Sequence, residues 1–181
     1  MNIGTGQCNL YADDALLYNN GSSVEEVQSK LQETLNYATS WYKDNKLAIN
    51  ASKSASILIH SQRKIAEDNL QLTINNELLT TKTNIPYIGV CIDNHLKWDN
   101  HISDLCKKVA PKIHQLRRLS KIIPKDILEK IYMACIQSHI DYACTVWGNC
   151  TKENRDKLQR LQNMAARIIC RQFDYINVRG K

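Results

Sequence analysis

The chain has 181 residues, 43% of them hydrophobic, which is enough for one or two domains with a real core. It contains no run of about 18 or more apolar residues, and residues 1–9 carry neither a basic nor an apolar segment, which speaks against a membrane span and a secretory leader. The net charge of +6 is uneven: residues 1–60 hold 4 Lys/Arg against 6 Asp/Glu, residues 61–100 hold 4 against 5, and residues 101–181 hold 16 against 7. Such a basic carboxyl-terminal half suits a polyanionic partner, or else a set of solvated helix faces. The 7 cysteines are odd in number and form no Cys-x-x-Cys, and His95, His101 and Cys106 lack zinc-ligand spacing. A reduced intracellular compartment fits best, without choosing between nucleus and cytoplasm.

In chain order, the first chemistry lies in Leu10-Tyr11-Ala12-Asp13-Asp14-Ala15-Leu16-Leu17-Tyr18, two adjacent carboxylates inside an apolar, strand-like run. Neighbouring carboxylates repel, and a divalent cation such as Mg²⁺ or Mn²⁺ is their natural counter-charge. Two such ions about 4 Å apart can clamp the attacking and leaving oxygens of a phosphoryl transfer. The plain alternative is an Asp-Asp hairpin turn. The strand before Tyr11 is poor, with only Cys8 and Leu10 apolar among glycines and amides.

Ser23 with Glu26 forms a capping box, and Val24, Val27, Leu31, Leu35 and Ala38 predict an amphipathic helix ending at Trp41-Tyr42, whose stripe covers a sheet. Leu47 to Ile49 and Ile57 to His60 read as two strands joined by the polar turn around Lys53. Residues 61–69 read as a loop, and Leu70, Leu72 and Ile74, an Asn75-Asn76 turn and Leu78-Leu79 read as a surface hairpin. Ile88, Val90 and Ile92 alternate as a half-buried strand in which Gly89 lets another backbone come close.

From Asn94 the pattern is helical. Asn100 caps a helix with Ile102, Leu105, Val109, Ile113, Leu116 and Leu119 inside and Lys107, Lys108, Lys112, Arg117 and Arg118 on its other faces; Pro111 should kink or split it. Pro124 opens a second helix with Ile127, Leu128, Ile131, Tyr132, Cys135 and Ile136 inward, residues 142–148 break the pattern, and Thr151 caps a third. Trp98, Tyr142 and Trp147 read as core aromatics.

Tyr11-Ala12-Asp13-Asp14 resembles the Tyr-x-Asp-Asp signature of reverse transcriptases. The downstream motifs, Leu47-x-Ile49-Asn50-x-x-Lys53-Ser54, Tyr87-Ile88-Gly89-Val90 and Leu96-Lys97-Trp98 with Ser138-His139-Ile140-x-Tyr142 and Val146-Trp147-Gly148, are similar to those of non-LTR (LINE-like, jockey-type) retrotransposon enzymes in the same order. The resemblance implies an RNA-directed DNA polymerase of α+β class. Residues 1–93 would be a partial palm, an antiparallel sheet with a covering helix, and residues 94–181 a basic, helical, thumb-like domain.

It also implies Asp13 and Asp14 as catalytic Mg²⁺ (or Mn²⁺) ligands, Lys53 on the nucleotide and pyrophosphate side, and Tyr87, Ile88, Gly89 and Val90 as a primer grip. Lys107, Lys108, Lys112, Arg117 and Arg118 would hold a duplex of RNA template and DNA primer. The fingers and the earlier palm carboxylate should precede Tyr11 by far more than ten residues, so the chain reads as a carboxyl-terminal polymerase fragment, inactive alone and completed by an amino-terminal half. The rival readings are a non-catalytic nucleic-acid-binding relic and a helical protein-interaction module.

Overall fold

The computed structural model describes residues 6–61 and 70–172, so most of the expected 61–69 loop and the last nine residues of the expected thumb-like domain, 173–181, lie outside the described residues. The backbone divides into two compact units. One runs to Ile85 and takes in Asp93–His95, and the other comprises Pro86–Ile92 and everything from Leu96. The structure is mixed helix and strand, in line with an α+β class. No helix among the described residues is long and apolar enough to cross a membrane.

The first unit begins with a hairpin, β1 (Gln7–Tyr11) and β2 (Asp14–Tyr18), in antiparallel register from Gln7↔Tyr18 to Tyr11↔Asp14. The unpromising β1 therefore does form. Its glycine has a use, since a Cβ on Gly6 would collide with the Thr34 side chain. Helix α1 (Val24–Asp44) starts where the capping box places it: Ser23 Oγ accepts the Glu26 N–H at 3.2 Å. The return arm reaches one residue further back, with the Glu26 carboxylate accepting the Ser22 N–H at 2.8 Å and the Ser22 hydroxyl at 2.7 Å. The carboxyl of Glu26 is pushed down to about 2 by its bonds to Lys30 and to the Ser22 backbone and hydroxyl.

The remaining strands are short: β3 (Ala55–Ser56) runs parallel to β6 (Thr80–Thr81), and β4 (Thr73–Ile74) is antiparallel to β5 (Glu77–Leu78). Neither Leu47 to Ile49 nor Ile57 to His60 is a strand, and the described residues make separate two-stranded pieces instead of one antiparallel sheet. The backbone bonds go elsewhere. The His60 N–H donates to Asn94 O, and the Lys82 N–H donates to Ser56 O.

The Leu70–Leu79 hairpin is core and not surface, because Leu70, Leu72, Ile74 and Leu79 turn inward onto Leu35 of α1. Helix α1 also bonds directly to this segment. Gln28 Oε1 accepts the Gln71 N–H at 2.9 Å, Gln32 Oε1 accepts the Thr73 N–H at 2.9 Å, and Gln32 Nε2 donates to Thr73 O at 3.0 Å.

Strands β7 (Asn84–Tyr87) and β8 (Val90–Asp93) pair through a two-residue turn. Helix α2 (Asp99–Leu119) begins one residue before the expected Asn100 cap, after Trp98 in the left-handed region at φ 68°; Asp99 supplies the first-turn negative charge that helix amino termini favour. Pro111 does not split it. Buried Val109 and Ile113, on either side of the exposed proline, hold the turn against the core despite one lost backbone bond.

The second helix comes in three parts, α3 (Lys125–Tyr132), a π segment (Met133–Gln137) and α4 (Ser138–Asp141). The wider π turn shifts the phase, so Leu128, Ile136 and Ile140 are buried while Cys135, expected inside, faces out. A short α5 (Cys144–Trp147) precedes α6 (Lys152–Ile169), capped as expected by Thr151, whose hydroxyl accepts the Asn154 N–H at 3.3 Å. The shared core joins Ile102, Val109, Ile113, Leu128, Ile136, Ala165 and Ile168 with Trp98 and Trp147. Fully buried Asn154 ties α6 to the start of α2 by donating to Asp99 Oδ1 at 2.7 Å.

Candidate functional sites

The first unit carries Asp13, Asp14 and Lys53. Tyr11 pairs with Asp14, so Ala12 and Asp13 are the two turn residues, and Ala12 takes a φ of 53°. A left-handed residue with a Cβ costs of order 1–2 kcal/mol. The turn sets Asp13 and Asp14 side by side in the exposed hairpin tip. Alternation puts Asp14 on the face opposite Leu17, which packs towards the core. Among the described residues neither carboxylate has a hydrogen-bond or ion-pair partner, and nowhere do three or more His, Cys, Asp or Glu side chains converge. The tip is thus a two-carboxylate, hard-oxygen donor set. It fits Mg²⁺ or Mn²⁺ with the remaining positions filled by water, phosphate or a further carboxylate.

Lys53 ends a 3₁₀ turn (Ala51–Lys53) whose amino end is capped by Asn50, the Lys53 N–H donating to Asn50 Oδ1 at 3.2 Å. That cap accounts for Asn50, while the bond uses only the backbone N–H of position 53 and leaves the Lys53 side chain uncommitted. The Lys53 side chain is exposed, and no hydrogen bond or ion pair among the described residues links it to Asp13 or Asp14.

The second unit carries the other candidates. Tyr87 and Val90 flank a turn in which Ile88 (φ 43°) and Gly89 (φ 74°) are both left-handed, the geometry of a type I′ hairpin. The expected single strand is therefore broken at its centre. What approaches Gly89 is no backbone but the ring of Tyr142: a Cβ on Gly89 would lie 3.2 Å from Tyr142 Cε1. Tyr142 itself is 50% exposed, so it is not the core aromatic the sequence suggests.

The hairpin tip borders a cleft of about 290 Å³ lined by Gly89, His101, Asp104, Lys108, His139 and Tyr142, among others. Burial and the nearby Lys108 charge push the His101 imidazole below its ordinary range. The hydrogen bond and charge of Lys107 push the Asp104 carboxyl down, and the ion pair itself measures 3.0 Å. Lys112 Nζ donates to Cys135 O at 3.2 Å and, having no acceptor capacity, to His139 Nε2 at 2.9 Å.

Of the basic candidates, Lys108 reaches the cleft with Gly89, and Lys112, one turn further along α2, reaches its His139 wall. Lys107, Arg117 and Arg118 lie exposed around the rest of α2, with Lys107 already paired to Asp104. Sequence reasoning did not bring His101, Asp104, His139 and Tyr142 together in one cleft. The motif Ser138-His139-Ile140-x-Tyr142 was the available signal, but the phase shift of the π segment that places it is not visible in a helical pattern.

Comparison with known proteins finds RNA-directed DNA polymerases of transposons and mobile elements among the chain's homologues. In particular, it is 28% identical over 162 residues to the RNA-directed DNA polymerase from mobile element jockey of Drosophila funebris, covering 88% of this chain and 17% of the relative. It is 24% identical over 162 residues to the probable RNA-directed DNA polymerase from transposon BS of Drosophila melanogaster, covering 88% and 18%. A Pol polyprotein from type-1 retrotransposable element R1 of Nasonia vitripennis is 21% identical over 172 residues, 89% of this chain and 51% of that one. The chain thus spans less than a fifth of the length of the jockey and BS relatives. No protein-family model and no solved structure matches it.

Proposed function

We propose that this chain is the part of a retrotransposon reverse transcriptase that carries the second half of the palm, the primer-holding hairpin and the thumb. The observation that carries the reading is the paired β1–β2 hairpin, whose two-residue turn presents Asp13 and Asp14 to solvent with no competing cation beside them among the described residues. Bound Mg²⁺ or Mn²⁺ would polarise phosphate oxygens for nucleotidyl transfer. Asp13 and Asp14 would hold the metal through their carboxylate oxygens. Lys53, on its capped turn, neutralises departing pyrophosphate, a role that needs only an exposed ammonium within reach of substrate. Tyr87, Ile88 and Gly89 hold the primer end, while Val90, buried in the helical core, anchors the return strand. Lys108 and Lys112, with Lys107, Arg117 and Arg118, bind the duplex backbone without reading sequence.

Two carboxylates are fewer than a two-metal site uses, so the 181-residue polypeptide alone should extend primers negligibly. The test is primer extension on an RNA template with Mg²⁺ or Mn²⁺. It compares the chain alone, the chain with a polypeptide carrying the preceding part of a jockey-type polymerase, and the same pair with Asp13→Ala. Extension only by the complemented wild type is the expected result. Extension that survives Asp13→Ala overturns the assignment.

The basic charge of residues 101–181 also supports a second reading, nucleic-acid binding without catalysis. Salt-sensitive duplex binding that Asp13→Ala leaves unchanged, with no extension under any complementation, would select it. Replacing Lys107, Lys108, Arg117 and Arg118 with Ala should weaken that binding and flatten its salt slope, by up to about one for each phosphate no longer neutralised.

A further inference from the structure

The Ile88–Gly89 turn is held in a conformation it would not adopt freely. Gly89 accepts its left-handed φ without strain, but Ile88 is β-branched and its φ of 43° is a true outlier. Such residues persist only where the surroundings over-determine them. The surroundings here are specific. The Tyr142 hydroxyl donates to Ile88 O at 2.8 Å, across 54 residues of sequence, while its ring edge fills the space a Gly89 side chain would need.

Tyr142 is itself fixed. Its N–H donates to Ser138 O at 3.2 Å, and its carbonyl accepts Trp147 Nε1–H at 2.9 Å. Trp147 is buried and lies against the His101 ring, with centroids 5.7 Å apart. His101 Nδ1 in turn accepts the Cys91 N–H of β8 at 3.3 Å. The chain of interactions closes on itself: from the turn to Tyr142, to Trp147, to His101, and back to the same hairpin on its return strand.

We infer that Tyr142 is a positioning residue that locks the Ile88–Gly89 tip at the edge of the cleft and so sets where the primer end is held. This rests on the primer-holding role proposed above for Tyr87 to Gly89. Tyr142 acts through the hairpin. Its own hydroxyl proton is committed to Ile88 O, and the residues that would meet the primer are those of the tip.

Two variants of the 181-residue chain test it. Tyr142→Phe keeps the ring and removes one hydrogen bond, and Gly89→Ala keeps the bond's partners but strains the turn at φ 74° and makes the ring give by a few tenths of an ångström. In the free protein, the amides of residues 87–91 should exchange about three- to tenfold faster in Tyr142→Phe, the loss expected for one neutral hydrogen bond. Amides of α2 and α6 should stay within about twofold, which a general loss of stability would not allow. In the complex with an RNA–DNA primer-template whose 3′-terminal nucleotide is photoreactive, wild-type crosslinks should map to residues 87–89. Both variants should lower that yield by a similar factor.

Unchanged tip exchange in Tyr142→Phe overturns the bracket. Faster exchange with an unaltered crosslink overturns its role towards the primer. A wild-type chain that binds primer-template but crosslinks elsewhere removes the primer-holding reading, and the positioning role with it, while the exchange data still decide whether Tyr142 holds the turn.

Discussion

The two units obtain their order from different ranges of the chain. In the helical unit the apolar positions of α2 recur three and four apart, and Ile102, Val109 and Leu128 are fully buried together with Ile136 and Ala165. In the strand unit β1 and β2 leave Leu10 58% and Tyr11 61% exposed, and β3 to β6 are two residues long. Helical hydrogen bonds close within four residues, whereas a strand must find its partner far away. A helical bundle can therefore be complete in its own residues where a sheet of the same length is still in pieces.

The sharpest way to break this contrast is to truncate one apolar side chain in the bundle core and one on the β1–β2 hairpin. Ile102→Ala should cost about 2–5 kcal/mol in urea unfolding followed by circular dichroism, and Leu10→Ala no more than about 0.5 kcal/mol. Equal costs would mean that the hairpin is as well packed as the bundle. Next in size is Asn154→Ala, which leaves Asp99 without its 2.7 Å donor and should cost about 1–3 kcal/mol. Ser23→Ala removes the cap of α1 and should cost about 1 kcal/mol, read as lost helicity in the strand unit.

The smallest effect separates the units by pH. His101 holds its proton less readily folded than unfolded, so its contribution is full above about 6.5, the ordinary value, and is lost as pH falls below it. Trp147 fluorescence should report that loss, and His101→Phe should abolish it. Glu26, held down to about 2, contributes above its ordinary 4.5 and loses that contribution between there and about 2. Glu26→Gln should flatten only that lower window.

Much of the helical part was legible because caps and periodicity are local. Ser23 and Thr151 mark helix starts in the sequence as they do in the structure. What escaped required knowing the third dimension. The left-handed Trp98 before α2, the π segment that turns Cys135 out and Ile140 in, and the outward Tyr142 each depend on what the segment packs against. In the strand unit Leu70 and Leu72 alternate like a surface strand, and only the position of α1 shows that their apolar side is the core. As for the sites, the turn at Asp13 and Asp14 could be read from neighbouring residues. The cleft could not, because Gly89, Lys108, His139 and Tyr142 come from three separate stretches of chain.

Gln28 and Gln32 have a consequence beyond holding α1 to the Gln71–Thr73 segment. Their amides occupy the backbone N–H groups of Gln71 and Thr73 and the carbonyl of Thr73, the groups that an open sheet margin would offer to a passing strand. A segment rich in Leu and Ile, briefly bared during synthesis, is the kind that seeds cross-β aggregation. Two glutamines on a neighbouring helix occupy that template at Gln71 and Thr73 in the folded chain, and Gln28→Ala with Gln32→Ala should raise fibrillation above the level of the parent chain in a thioflavin T assay.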